Sequence, residues 1–201
     1  MEVHETHETI HEVAHASHDP EKVSFNRKIA VAISVLAAML AIVEAAGKSA
    51  QNNSISANIE ASNLWAFFQA KTIRMTTMET AADALEAVAV TGLSEPAVQA
   101  LEKKVTDWRA TAQRYRSEPE TNEGRKELAA RAKAAEQIHQ TALASYHMYE
   151  YGAAALQISI VLCSAAAVTG AVALAFAAGG LSLIGVGFGL LGWLAPTLIH
   201  L

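Results

Sequence analysis

Apolar and polar positions alternate along this chain in three regimes. The last fifty residues, 152–201, contain no Asp, Glu, Lys or Arg, a run longer than two bilayer-crossing helices of about 20 residues each. Gly179-Gly180 is its most conspicuous interruption, so the pattern predicts two membrane helices, 152–178 and 181–199, folded as a hairpin. A second apolar segment, 29–46, is about 18 residues long, enough for one more span, with Glu44 as its single charge. Lys48 follows four residues later, at helical pairing distance, and an interfacial ion pair between the two is expected.

Between these segments the apolar residues recur at steps of three and four, the signature of helices with one packed face. Leu64, Phe68, Met75, Met78, Ala82 and Leu85 make one seam, interrupted by Lys71. Val98, Leu101, Val105, Trp108, Ala112 and Tyr115 make the cleanest one, and Leu128, Ala132, Ala135, Ile138, Ala142 and Ser145 a third. No seam has the two-residue period of a strand. Ser94-Glu95-Pro96 reads as a helix start, Thr91-Gly92 and Ser117-Glu118-Pro119-Glu120 as breaks. The polar stretch 47–58 contains one strong breaker, Gly47, and no proline, so a nearly continuous helix is expected to leave the first span. The last polar helix, about 121–151, is expected to run straight into the span at Gly152, with Tyr146, Tyr149 and Tyr151 at the junction, where amphipathic rings favour the headgroup region.

The expected fold is an all-α membrane protein with three transmembrane helices and a helical stalk domain between the first and second. Its divisions are a His/Glu-rich tail (1–20), the first span with its lead-in (21–46), a three-helix soluble stalk (47–151) and the hairpin (152–201). Composition sharpens this without changing it. The 201 residues are 52% hydrophobic with a net charge of −5, and apart from Glu44 the charge is confined to the segments outside the spans. Alanine dominates, which favours helix and lets helices approach closely. The one cysteine, Cys163, falls inside a span and reads as a small packing residue.

Candidate chemistry is sparse. His4, His7, His11, His15 and His18 step by three or four, one stripe if the tail is helical. Neutral imidazoles so spaced can ligate Zn, Cu or Ni. The zincin pattern H-E-x-x-H occurs twice, at His7–His11 and His11–His15, but at a terminus without a surrounding core, where a shaped cleft and a third ligand are lacking; a solvated tail is the reading it competes with. Phosphate-binding and dinucleotide fingerprints are absent, and no motif pairs a nucleophile with a base, so catalysis and nucleic-acid binding are not expected. Gly185, Gly189 and Gly192 on the last helix read as a close-packing face between copies. A channel would need polar rings, for which Gln157, Ser159, Ser164, Thr169 and Ser182 are the material.

The stretch Glu60 to Arg74 contains Trp65-Ala66-Phe67-Phe68-Gln69-Ala70-Lys71. With its His- and Glu-rich start, Ala/Leu-rich first span and C-terminal pair of spans, the chain resembles an uncharacterised bacterial membrane family, domain of unknown function 4337. The resemblance implies a bacterial membrane protein and carries over no activity. Trp65, Phe67, Phe68, Gln69, Lys71 and Arg74 are therefore candidates for packing between helices, with Lys71 and Arg74 alternatively contacting an anionic lipid headgroup. The functional expectation is a structural or accessory protein of the bacterial inner membrane. Its N-terminus would lie in the cytoplasm, because Arg27 and Lys28 abut the first span. Its partners would be membrane lipid and further copies of itself or the other subunits of a membrane complex. A metal-handling protein using the His stripe and an oligomeric channel or transporter are the alternatives.

Overall fold

A computed structural model describes residues 20–88 and 92–198. The described residues form four helices and no strands: α1 (Pro20–Val88), α2 (Glu95–Arg116), α3 (Arg125–Thr169) and α4 (Val172–Leu194). Three of them, α1, α3 and α4, contain stretches long and apolar enough to cross a membrane. The residues divide into two compact units. One comprises the described residues of Met1–Gln51 and Ala142–Leu201, the other is Asn52–Thr141.

In the first unit, α1 passes through 47–50 without a break. Gly47 marks a close approach there and not a helix end: a Cβ at this position would lie 3.3 Å from Cβ of Tyr149. The hairpin bends elsewhere than at Gly179-Gly180. It turns at Gly170-Ala171, where Gly170 takes φ +68° and its N–H donates to the Ala166 carbonyl at 2.9 Å, closing α3 with the left-handed residue that glycine adopts without steric cost. Thr169 Oγ1 accepts from the Ala171 N–H at 3.3 Å. Gly179 and Gly180 are helical, inside α4. The physical reason is length as much as conformation. Bending at 170 leaves stretches of about 18 and 23 residues, both near the 20 needed for a span, and lets α4 end before Pro196, which disfavours helix in the residue preceding it. The interior is built from Ile29, Cys163 and Ala178, with Phe25, Ile33 and Leu36 packed against them. Leu156 and Ser159 are fully buried, and the Ser159 hydroxyl is satisfied by the Ala155 carbonyl at 2.8 Å, as a buried donor requires.

The second unit joins part of α1 to α2 and the start of α3. Its core is Ala61, Leu64, Leu128, Ala132 and Ala135, flanked by Trp65 and Phe68. The α2 seam faces inward through Val105 and Ala112. The α2 start lies at Ser94, whose carbonyl accepts from the Ala97 and Val98 N–H groups at 2.9 and 3.0 Å, although its hydroxyl makes no capping bond. On α3 the inward face passes from Ala135 to His139 and not to Ile138, which is 58% exposed. The imidazole takes the inward place because Ser54, buried on α1, meets it.

Candidate functional site

The motif residues of α1 converge with the turn between α2 and α3 on a polar cluster within the second unit. Lys71, placed by helical spacing on the same face as Leu64 and Met75, is 5% exposed. Its Nζ lies 3.6 Å from Glu118 Oε2 and 3.8 Å from Glu123 Oε2, and 5.0 and 5.5 Å from the ring centroids of Tyr115 and Phe67. Arg114 holds the other Glu118 oxygen, with Nε at 3.2 Å. Arg125 lies over Phe68, 4.9 Å from its centroid, donates to Met75 Sδ at 3.4 Å, and keeps its buried Nε without a partner among the described residues. Trp65 Nε1 donates to Glu136 Oε1 at 2.7 Å, while its ring meets Phe68 edge-on.

The turn that delivers Glu118 and Glu123 is fixed from α3. Ser117 Oγ donates to Glu127 Oε1 at 2.6 Å, and the Glu118 N–H donates to Glu127 Oε2 at 3.1 Å. Asn122 adopts φ +57°, a region Asn tolerates better than most residues. Gly124 has no room for a side chain: a Cβ would meet the Glu127 carboxylate, the Glu118 amide nitrogen and, at 2.7 Å, Ser117 Cα. The Ser117 hydroxyl is the main cause that holds the Glu127 carboxyl below its ordinary value, with the Glu118 amide adding to it. A carboxyl lowered by folding stabilises the fold above its unfolded-state pKa of about 4.3, and that contribution disappears as pH falls through the lower, folded value. Wild type is therefore expected to lose thermal stability below about pH 4, whereas Glu127→Gln is less stable at neutral pH and flatter across the acid range. Melting curves from pH 3 to 7 for both proteins check this.

The cluster has the chemistry of a structural lock. Lys71 and Arg114 are matched by protein carboxylates, so Lys71 needs no lipid phosphate as counter-ion. Arg74 and Gln69 are exposed, and Phe67 is partly so. A serine and a histidine also meet in this unit: Ser54 Oγ lies 2.9 Å, and the Ser54 carbonyl oxygen 3.0 Å, from His139 Nδ1. The tautomer with the proton on Nδ1 satisfies both contacts at once, since the carbonyl can only accept and the hydroxyl oxygen can accept as well. Ser54 is 3% exposed, and the pair is a packing contact between α1 and α3.

In the first unit, Glu44 and Lys48 are not paired. Glu44 Oε1 instead accepts from Gln157 Nε2 on α3 at 3.0 Å. The glycines expected to face another copy are covered within the chain. Gly185 abuts Gly152, Gly192 abuts Met148 and Tyr149, and a Cβ on Gly189 would lie 3.2 Å from Val43 Cγ2. The His stripe, His4 to His18, lies outside the described residues; among the described residues no three His, Cys, Asp or Glu side chains gather to hold a metal.

Glu118, Glu123, Glu136 and His139 carry much of this network and were invisible as partners in the sequence, since each meets its counterpart across helices. Only the burial of Lys71 in a seam hinted that carboxylates had to be near.

An all-helical protein with three helices apolar enough to cross a membrane, joined to a polar three-helix unit, is the class these features define. The chain belongs to the family described as Domain of unknown function (DUF4337), whose model matches residues 25–195. The match includes the motif and reaches all four helices, α1 from Phe25 onward, but not the His stripe. No curated protein and no solved structure matches the chain.

Proposed function

We propose that the chain is a structural or accessory protein of the bacterial inner membrane, anchored by 29–46, 152–169 and 172–194, which works by self-association or by joining a larger membrane complex and not by catalysis. The observation that carries this reading is the outer surface of the first unit. Ile42, Phe176, Leu183 and Trp193 are each 70% exposed or more, on stretches that offer no charge except Glu44. In water such a surface is a liability; in lipid it is ordinary. Arg27 and Lys28 favour a cytoplasmic flank before the first span, which would put the polar unit and the end of α4 on the opposite side.

Self-association finds its surface on α1. Ile55, Ile59, Ala66 and Ile73 are exposed, and with Ser62 and Gln69 they follow steps of four and three along one face, the spacing by which like helices pair. This stripe supports assembly where the covered glycines do not.

Two measurements test the reading. In a Cys163→Ala background, Asp107→Cys and Thr197→Cys are expected to react with an impermeant maleimide in intact spheroplasts, and Ser24→Cys only after permeabilisation. Labelling of Ser24→Cys and Thr197→Cys from the same side would remove the three-span topology. Ile59→Lys is expected to shift the mass distribution in mild detergent toward monomer while the helical signal stays constant. A wild type that is monomeric at micromolar concentration would argue against self-association.

A further inference from the structure

We propose that the groove between α1 and α3 in the first unit binds the headgroup of a zwitterionic phospholipid bearing a primary ammonium, an ethanolamine phospholipid. The proposal rests on the membrane reading above. The groove has a volume of about 480 Å³ and is lined by Glu44, Lys48, Tyr146, Tyr149, Glu150 and Gln157 among others. It lies where charge begins: α1 is uncharged from Ile29 to Val43, and α3 is uncharged from Tyr151 onward. In a bilayer that boundary is the headgroup level.

The charges in the groove are unevenly satisfied. Lys48 is exposed, and among the described residues no carboxylate lies within ion-pair distance of its ammonium; Glu44, one helical turn away, is held by Gln157 instead. Lys48 is therefore available to a phosphate. Glu150 receives only long contacts, from the Tyr146 hydroxyl at 3.5 Å and from His147 Nδ1 at 3.7 Å. One cation stands against two carboxylates. An anionic headgroup would meet a net negative groove, whereas a headgroup carrying both phosphate and ammonium complements both signs. A primary ammonium donates three hydrogen bonds, and the acceptors are in place: the second Glu44 oxygen, Glu150, and the Gln157 carbonyl oxygen, whose amide nitrogen is already donating. A quaternary ammonium donates none and would leave them unmet. Val43, Ala153 and Ala154 also line the groove and offer apolar surface to the glycerol backbone.

The test is native mass spectrometry of the purified full chain, titrated with ethanolamine, choline and glycerol phospholipids of identical acyl chains. Ethanolamine lipid is expected to be retained about tenfold over the other two, since one charge-assisted hydrogen bond is worth roughly that factor. Lys48→Ala and Glu150→Gln, both on exposed side chains, are each expected to cut that retention about fivefold or more with unchanged helicity. Equal retention of the choline or glycerol lipid, or variants that bind like wild type, would overturn the proposal. A chain that integrates into membranes but shows no headgroup preference sinks this inference alone. A chain that stays in the aqueous fraction without detergent sinks the membrane reading with it.

Discussion

Lys71→Glu is expected to lower the urea midpoint of the second unit sharply, while Lys71→Met leaves it near wild type. The Lys71 side chain is 6% exposed and stands between Glu118 and Glu123. At an effective dielectric of 20, each contact of this length is worth roughly 4 kcal/mol before desolvation. Removing the ammonium from water consumes most of that gain, which is why a buried pair replaced by an apolar side chain of similar volume is often close to neutral. Methionine fills the space beside Tyr115 and Phe67, and Glu118 keeps Arg114 at 3.2 Å, so neither carboxylate is stranded in the interior. Glutamate is different. It puts a third carboxylate where two already face each other, and the loss should be of order 4 kcal/mol, a large part of the 5–15 kcal/mol that keeps a domain folded. Urea titration followed by the fluorescence of Trp65 and Trp108, in a Trp193→Phe background, reads this unit. A Lys71→Glu midpoint equal to that of Lys71→Met would show that the cluster does not hold the turn.

The contrast between those two variants also marks where sequence patterning reached and where it stopped. Steps of three and four placed Leu64, Val105, Ala112 and Leu128 on inward faces, because burial of apolar surface is written into a helix by period alone. Lys71 lay on the same face and read as an interruption. Its place inside depends on Glu118 and Glu123, which a distant turn supplies, and period carries no information about that. The slip from Ile138 to His139 has the same origin: a polar contact with Ser54 outweighed the hydropathy of a neighbour one position away. Glu44 and Lys48 had the right spacing to pair, yet Gln157 on another helix took the carboxylate. Glycine was ambiguous for a further reason. It ends helices when it adopts positive φ, as Gly170 does, and it also lets two helices touch. Sequence cannot separate the two roles, so Gly179-Gly180 read as a turn and Gly185 as a surface for another copy.

Gly185→Leu is expected to break the contact between α3 and α4 inside one chain, and Gly187→Leu to leave it intact. A Cβ on Gly152 would lie 2.9 Å from the Gly185 carbonyl oxygen and 3.2 Å from the Gly189 nitrogen. A Cβ on Gly185 would lie 3.0 Å from both the Gly152 oxygen and Leu156 Cγ. These partners are largely backbone, which cannot step aside as a side-chain tip can. In lipid the helices gain little from hiding apolar surface, so their association depends on such close dispersion contacts, and a leucine would separate them along a full turn. The cost should be roughly 3 kcal/mol, the upper range for overpacking, or a fall in melting temperature of about 6–12 °C for a chain of this size. Around Gly187 nothing lies within 4 Å of an added Cβ, so a leucine there projects into open space. Melting and mass distribution in the same detergent distinguish the two roles of the glycine face. Loss of thermal stability in monomeric Gly185→Leu places the face inside the chain. An unchanged melting temperature with a shift from oligomer to monomer would assign it to contacts between copies instead.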